Sequence, residues 1–183
     1  TGSGGNTLWH NTGNWSLGSI PTNANDVVIS SSVAIDIGTG ASVTINSLTI
    51  NNSSNVSFIA VGANRIFTID DTGSSIDAGS SLTIKGSSTY TMTVAYTGTN
   101  RTMDVAGSLI VTASGGGGRY TATNSLTTVT GTLKNDGTGG GTAGTITSLS
   151  SNLTIAAGGI YEHALDAGTI PAATWNSAST CLI

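Results

Sequence analysis

Five short echoes constrain this chain more than anything else in it: "NSLTI", "SSLTI", "GSLIV", "NSLTTV" and "SNLTI", which place leucine at positions 48, 82, 109, 126 and 153. Each is a few β-branched or leucine residues alternating with Ser or Thr and bounded by Gly, Ser, Asn or Asp. That is the pattern of a short half-buried strand between turns. The same signal recurs at residues 26–29, 33–37, 43–50, 55–61, 65–69, 81–84, 90–96, 102–105, 108–111, 120–123, 125–129, 144–147 and 152–155. No segment carries a 3.6-residue apolar period with caps, so the reading is all-β.

The spacing of the echoes selects the architecture. Loosely repeated units of 17 to 27 residues, each with short strands and Gly/Asn/Ser corners, predict stacked coils of a right-handed parallel β-helix, or β-solenoid. About eight coils at the usual inter-strand spacing of about 4.8 Å give a rod of roughly 40 Å. A β-sandwich is the rival. Hairpin dipeptides are scarce, "NDGTGGG" at 135–141 being the clearest, and that favours the solenoid. The domain reading is a cap over residues 1–25, coils over 26–171, and a further coil or assembly contact over 172–183.

A solenoid exposes apolar core and unpaired strand edges at both ends. The opening "WHNTGNWSLGSIP" supplies Trp9, Trp15, Ile20 and Pro21 to cover the first coil. At the other end "STCLI" reads as a strand about to continue. Cys181, Leu182 and Ile183 are therefore the expected assembly contact, with self-association or neighbouring domains of a longer parent as partners.

Charge and hydropathy each exclude a function class. Five basic residues stand against nine acidic ones, for a net charge of −4, and Arg65, Lys85, Arg101, Arg119 and Lys134 are scattered. Nucleic-acid binding needs clustered cations, so no nucleic-acid partner is expected. No apolar run reaches the length of a membrane-spanning helix, and no membrane insertion is expected. Apolar residues make up 37% of the chain and mean hydropathy is +0.16, which is too apolar for a disordered chain. The single cysteine, Cys181, has no internal disulfide partner.

Two elements carry a resemblance. "NTGNWSLGSIPTNANDVVI" followed by "SLTI", and "GGIYEHALDAGTIPAATWNSASTCLI", together about a quarter of the chain, resemble elements of the β-solenoid regions of large secreted and cell-surface, adhesin-like proteins of Bacteroidetes-type bacteria. The resemblance implies an extracellular or cell-surface location and an adhesive or architectural role. It supplies no catalytic residues.

Chemistry-bearing groups are sparse. Parallel β-helices host polygalacturonases and pectin lyases, but no Gly-His-Gly or Arg-x-Lys element is present, and "DD" at Asp70 and Asp71 is the only carboxylate doublet. There is no Gly-x-Ser-x-Gly elbow. The chain reads as a non-enzyme without a cofactor. One candidate Ca2+ corner remains, "TIDDTGSSID", with Asp70, Asp71 and Asp77 around a glycine, against the plainer reading of a turn that satisfies its own backbone. "GGGG" at 115–118 reads as a flexible loop, and "YEHAL" as a solvated Glu162–His163 pair.

Two binding readings stand beside the structural one. Trp9, Trp15, Tyr90, Tyr96, Tyr120 and Trp175 are candidate platforms for a surface polysaccharide. Thr pairs at 91–93, 121–123 and 145–147 resemble the rows of ice-binding solenoids, although their intervals of 30 and 24 residues argue against a regular row.

Overall fold

The structure, a computed structural model, describes residues 4–38, 40–137, 144–165 and 168–183. Among them lie one three-residue 3-10 turn, Thr12–Asn14, and nineteen strands: β1 (Asp26–Ile29), β2 (Val33–Ile37), β3 (Val43–Ile45), β4 (Ser47–Ile50), β5 (Asn55–Ala60), β6 (Arg65–Ile69), β7 (Ser74–Ile76), β8 (Ser81–Lys85), β9 (Met92–Tyr96), β10 (Arg101–Val105), β11 (Ser108–Thr112), β12 (Gly118–Ala122), β13 (Ser125–Val129), β14 (Thr132–Asp136), β15 (Thr145–Ser148), β16 (Leu153–Ile155), β17 (Ile160–Ala164), β18 (Thr174–Trp175) and β19 (Thr180–Leu182).

Every third strand pairs up to the last layer, where β18 pairs with β16 and β19 with β17. The first face is β1-β4-β7-β10-β13-β16-β18, the second is β2-β5-β8-β11-β14-β17-β19, and the third is β3-β6-β9-β12-β15. All pairs between these strands are parallel, as in βn to βn+3 steps of one winding chain. The molecule is a β-solenoid, and the sandwich alternative falls with the parallel pairing.

The coil count differs from the eight expected. Five coils have all three strands, and two further layers have strands on the first and second faces only, roughly 30 Å of stack at the usual spacing. One coil takes between 20 residues (Thr154 to Thr174) and 29 (Ser74 to Met103). The leucine series mixed faces: Leu82 and Leu109 are true stacking neighbours, Leu48 and Leu153 belong to the first face, and Leu126 points outward at 42% exposure. The 17-residue step from Leu109 to Leu126 is a passage around the coil.

Alternation along each strand sends one set of side chains inward. On the second face Val56, Leu82, Leu109, Leu133 and Tyr161 stack in register, all fully buried. On the first face the column is Ile29, Ile50, Ile76, Val105, Val129, Ile155 and finally Trp175. Each buried aliphatic in such a column contributes about 1.5–3 kcal/mol, so the core is one continuous axial rod of apolar contacts.

At the first layer the chain caps itself. Leu8 bridges Asp36 in parallel, with Trp9 N–H donating to Asp36 O at 3.0 Å and Asp36 N–H to Thr7 O at 2.9 Å. This extends the second face by one short rung. The Trp9 ring drops onto the core, edge-on to Phe58 and Phe67 at 6.2 and 5.0 Å. Trp15 and Ile20 pack against the same cluster.

The tetraglycine is no loose loop. Gly116, Gly117 and Gly118 are buried, and Gly118 begins β12. A Cβ on Gly118 would stand 2.1 Å from Ile84 O, and one on Gly116 would stand 2.4 Å from Tyr90 C. The run lets one coil corner press against the Ser87–Tyr90 turn of the layer before it, a close approach that only glycine allows. The hairpin signal at 135–141 also reads differently. Asn135 and Asp136 lie in β14, paired in parallel with β11 and β17, and residues 138–141 fall outside the described residues.

Candidate functional site

A cleft opens between the cap and the first coil. It encloses about 240 Å3 and is lined by the cap at residues 6–9 and 14–16 and by the β1–β2 corner from Val28 to Ile35. The cap side is held rigid by its own asparagines. Asn6 Oδ1 accepts from Leu8 N–H and from the side-chain amides of Asn11 and Asn14, and Asn14 Nδ2 also donates to Leu8 O at 2.8 Å. Trp15 Nε1 donates to Trp9 O at 2.8 Å, and its ring lies against Trp9 with centroids 4.4 Å apart. Trp9 Nε1 and His10 Nδ1 are buried without a hydrogen-bond partner. A second recess of about 420 Å3 beside it is lined by Trp9, His10, Ile20, Pro21 and the start of β3.

The six aromatic candidates do not share a surface. Trp9, Tyr96 and Tyr120 are 0%, 5% and 0% exposed, so none of the three presents a ring to a sugar. They are core residues because their strands or cap segment point them inward. Trp175 is exposed only as the last member of the inward Ile155 column, edge-on to Tyr161 at 6.0 Å. Tyr90 is partly buried in the turn against the tetraglycine. Trp15 lines the cleft with part of its ring exposed, and the buried Trp9 backs it.

The acidic corner also divides. Asp70 and Asp71 follow β6, whereas Asp77 follows β7 at the opposite end of that strand and accepts from Ser75 Oγ at 3.0 Å. Arg101 Nη2 and Nη1 approach Asp70 and Asp71 at 3.9 and 3.5 Å, and Thr97 Oγ1 donates to Asp70. Arg101, one coil downstream at the start of β10, was the residue missed; its distance of about one coil from Asp70 is the signal that would have found it. Arg65 and Lys85 lie away from this corner, at the far end of β6 and on the second face. Among the described residues no three His, Cys, Asp or Glu side chains lie close enough together to hold a metal ion.

Glu162 and His163 point to opposite sides of β17. Glu162 faces out and meets Lys134 Nζ at 3.0 Å, while His163 is 8% exposed with Nδ1 2.8 Å from Tyr161 Oη. The bond to Glu162 is the main reason the Lys134 ammonium is held above its usual range. Burial pushes the Tyr161 phenol up to about 12, with the Cys181 thiol beside it adding to the rise. Cys181, Leu182 and Ile183 are exposed, Leu182 at 47% and Ile183 at 91%.

The threonine pairs settle into register on the third face. Thr44, Thr68, Ala95, Thr121 and Thr147 form one outward column, so Thr121 stacks on Ala95 rather than on Thr91. The parallel column is broken by Ile66 and Arg119, and a continuous threonine row is absent from this face.

No family model, curated protein or solved structure matches this chain. The functional reading therefore rests on the geometry.

Proposed function

We propose that this chain is a non-catalytic structural module of an exported bacterial surface protein, a stalk, surface-layer or fibre element that works by joining β-layers end to end. One observation carries this reading. Among the described residues β18 and β19, in the last layer, are each paired on one side only and every residue in them is exposed, while Trp175 and Cys181 continue inward columns with no described residue stacked on them. Unpaired parallel strands above an open apolar core template a further layer.

The two ends are not equivalent, and this sets the mode of joining. The starting edge of the second face is occupied by the Leu8–Asp36 bridge and covered by Trp9, so it does not invite a strand. When the chain is studied alone, the available partner for the open layer is the same layer of a second copy, in a two-fold, self-complementary contact. The exterior supports the role: its outward positions are mostly Ser, Thr and Asn, which solvate the rod without large surface charge. The sequence resemblance supports the cell-surface location.

Light-scattering mass across a concentration series, read beside negative-stain images, tests the proposal. The expected result is a monomer that converts to a dimer of doubled length, with Leu182→Lys shifting the equilibrium to monomer. A monomer at every concentration overturns end-to-end joining. Rods longer than two copies would replace the two-fold contact with a head-to-tail one.

A further inference from the structure

We propose that the cleft between the cap and the first coil binds the ring of a neutral sugar. This site is separate from the joining end, because it lies at the opposite pole of the solenoid. Its size of about 240 Å3 suits one pyranose ring. No Asp, Glu, Lys, Arg or His lines it, so a charged ligand would be desolvated there without a counter-charge.

The walls have the two-sided chemistry that a sugar ring presents. The apolar part is Leu8, Val33 and the indole of Trp15. Because the Trp15 N–H is already spent on Trp9 O and one side of the ring rests on Trp9, what Trp15 has left to offer is an aromatic face. The axial C–H face of a pyranose packs against such a surface. The polar part is the hydroxyls of Ser16 and Ser31 and the Nδ2 of Asn6, none of which has a hydrogen-bond partner among the described residues. These supply donors and acceptors to ring hydroxyls. An alkyl ligand would leave the same groups dehydrated and unpaired, at a cost for each.

Trp9 backs this cleft from within the core and holds the Trp15 ring in place by accepting its N–H at the backbone carbonyl. The rigid asparagine mesh of Asn6, Asn11 and Asn14 fixes the cap side in advance, so little ordering is needed on binding.

Saturation-transfer NMR on the full chain tests this with D-glucose, D-galactose, D-mannose and N-acetyl-D-glucosamine as probes, each at millimolar concentration. Methyl glycosides of the same sugars run beside them. The expected result is transfer from at least one probe, with affinity reduced tenfold or more by Ser31→Phe, which fills the cleft from its corner without removing a core side chain. Thr83→Ala, outward on β8 and away from the cleft, leaves binding unchanged. Equal transfer to the methyl glycoside assigns the site to rings within a polysaccharide, and loss on methylation assigns it to free sugars. If Ser31→Phe does not fold, Ser16→Phe blocks the cleft from the exposed opposite wall and is read in the same way. No transfer from any probe, or transfer untouched by the blocking variant, overturns the proposal.

Discussion

The hydroxyls of Tyr120 and Thr127 lie 2.7 Å apart inside the core, and this bond inverts the strand that follows. In β13 the residues pointing inward are Ser125, Thr127 and Val129, while Leu126 faces solvent. A one-residue change of register would bury Leu126 and expose Thr127. It would also strand the Tyr120 hydroxyl, and with it Tyr96 Oη 3.4 Å away, in an apolar interior. Satisfying a buried phenol outweighs burying one leucine. Thr127→Val is therefore expected to destabilise the protein by about 1–3 kcal/mol, the cost of a buried polar group left unpaired. Leu126→Thr should change stability by less than about 0.5 kcal/mol, as at an ordinary surface position. Urea unfolding of both variants checks the contrast, and the reverse ranking would show that β13 uses the other register.

Gly118 makes the sharpest steric prediction. Its added Cβ would meet Ile84 O at 2.1 Å, and Ile84 is a backbone partner in the neighbouring face that cannot yield cheaply. Gly62 is the control: its φ of +76° strains a side chain, but nothing lies within 4 Å of the added atom. Gly62→Ala is expected to cost about 1–2 kcal/mol through backbone strain alone. Gly118→Ala should cost clearly more and melt at a visibly lower temperature. Equal melting temperatures would mean that the tetraglycine corner relaxes.

What the sequence disclosed and what it hid follow from the inward residues. Strands such as β8 and β11 are legible because Leu82, Ile84, Leu109 and Val111 alternate with outward polar or small residues. β7, β14 and β17 escaped because their inward positions carry Ser74, Asn135 and His163, which read as turn or surface. Coil length was misjudged for a related reason: Leu126 copies the motif of an inward leucine from an outward position. The cap tryptophans were recognisable, but the cleft beneath Trp15 was not, since it is formed by residues 6–16 meeting 28–35 through a bridge from Leu8 to Asp36. Likewise Asp70 and Asp71 found their partner only when the stacking put Arg101 above them.

That pairing bears on calcium. Arg101 already balances Asp70 and Asp71, and Asp77 is held by Ser75 at another corner, so no three carboxylates converge. The melting temperature is expected to be the same in EDTA and in millimolar Ca2+. Binding to the folded state alone would raise it, and such a rise would overturn this assignment. Because Arg101 and its partners are partly exposed, Arg101→Gln should cost no more than about 1 kcal/mol.

Buried tyrosines set the alkaline limit. Burial is the largest cause that raises Tyr96, Tyr120 and Tyr161 above the usual phenol value of 10.0, Tyr161 to about 12 and Tyr96 well above normal. Between the unfolded and folded values the unfolded chain releases protons that the folded chain keeps. The unfolded state then binds fewer protons, and stability falls as pH rises. The stabilisation is fully present below pH 10 and is lost progressively above it, by up to about 1.4 kcal/mol per pH unit for each tyrosine in that window. Denaturant melts from pH 7 to pH 12 should show a plateau followed by this decline, shallower in Tyr161→Phe, which removes one titrating group while keeping the ring beside Trp175. Unchanged stability through pH 12 would show that these phenols ionise without unfolding, and that water reaches the core where the stack meets its last layer.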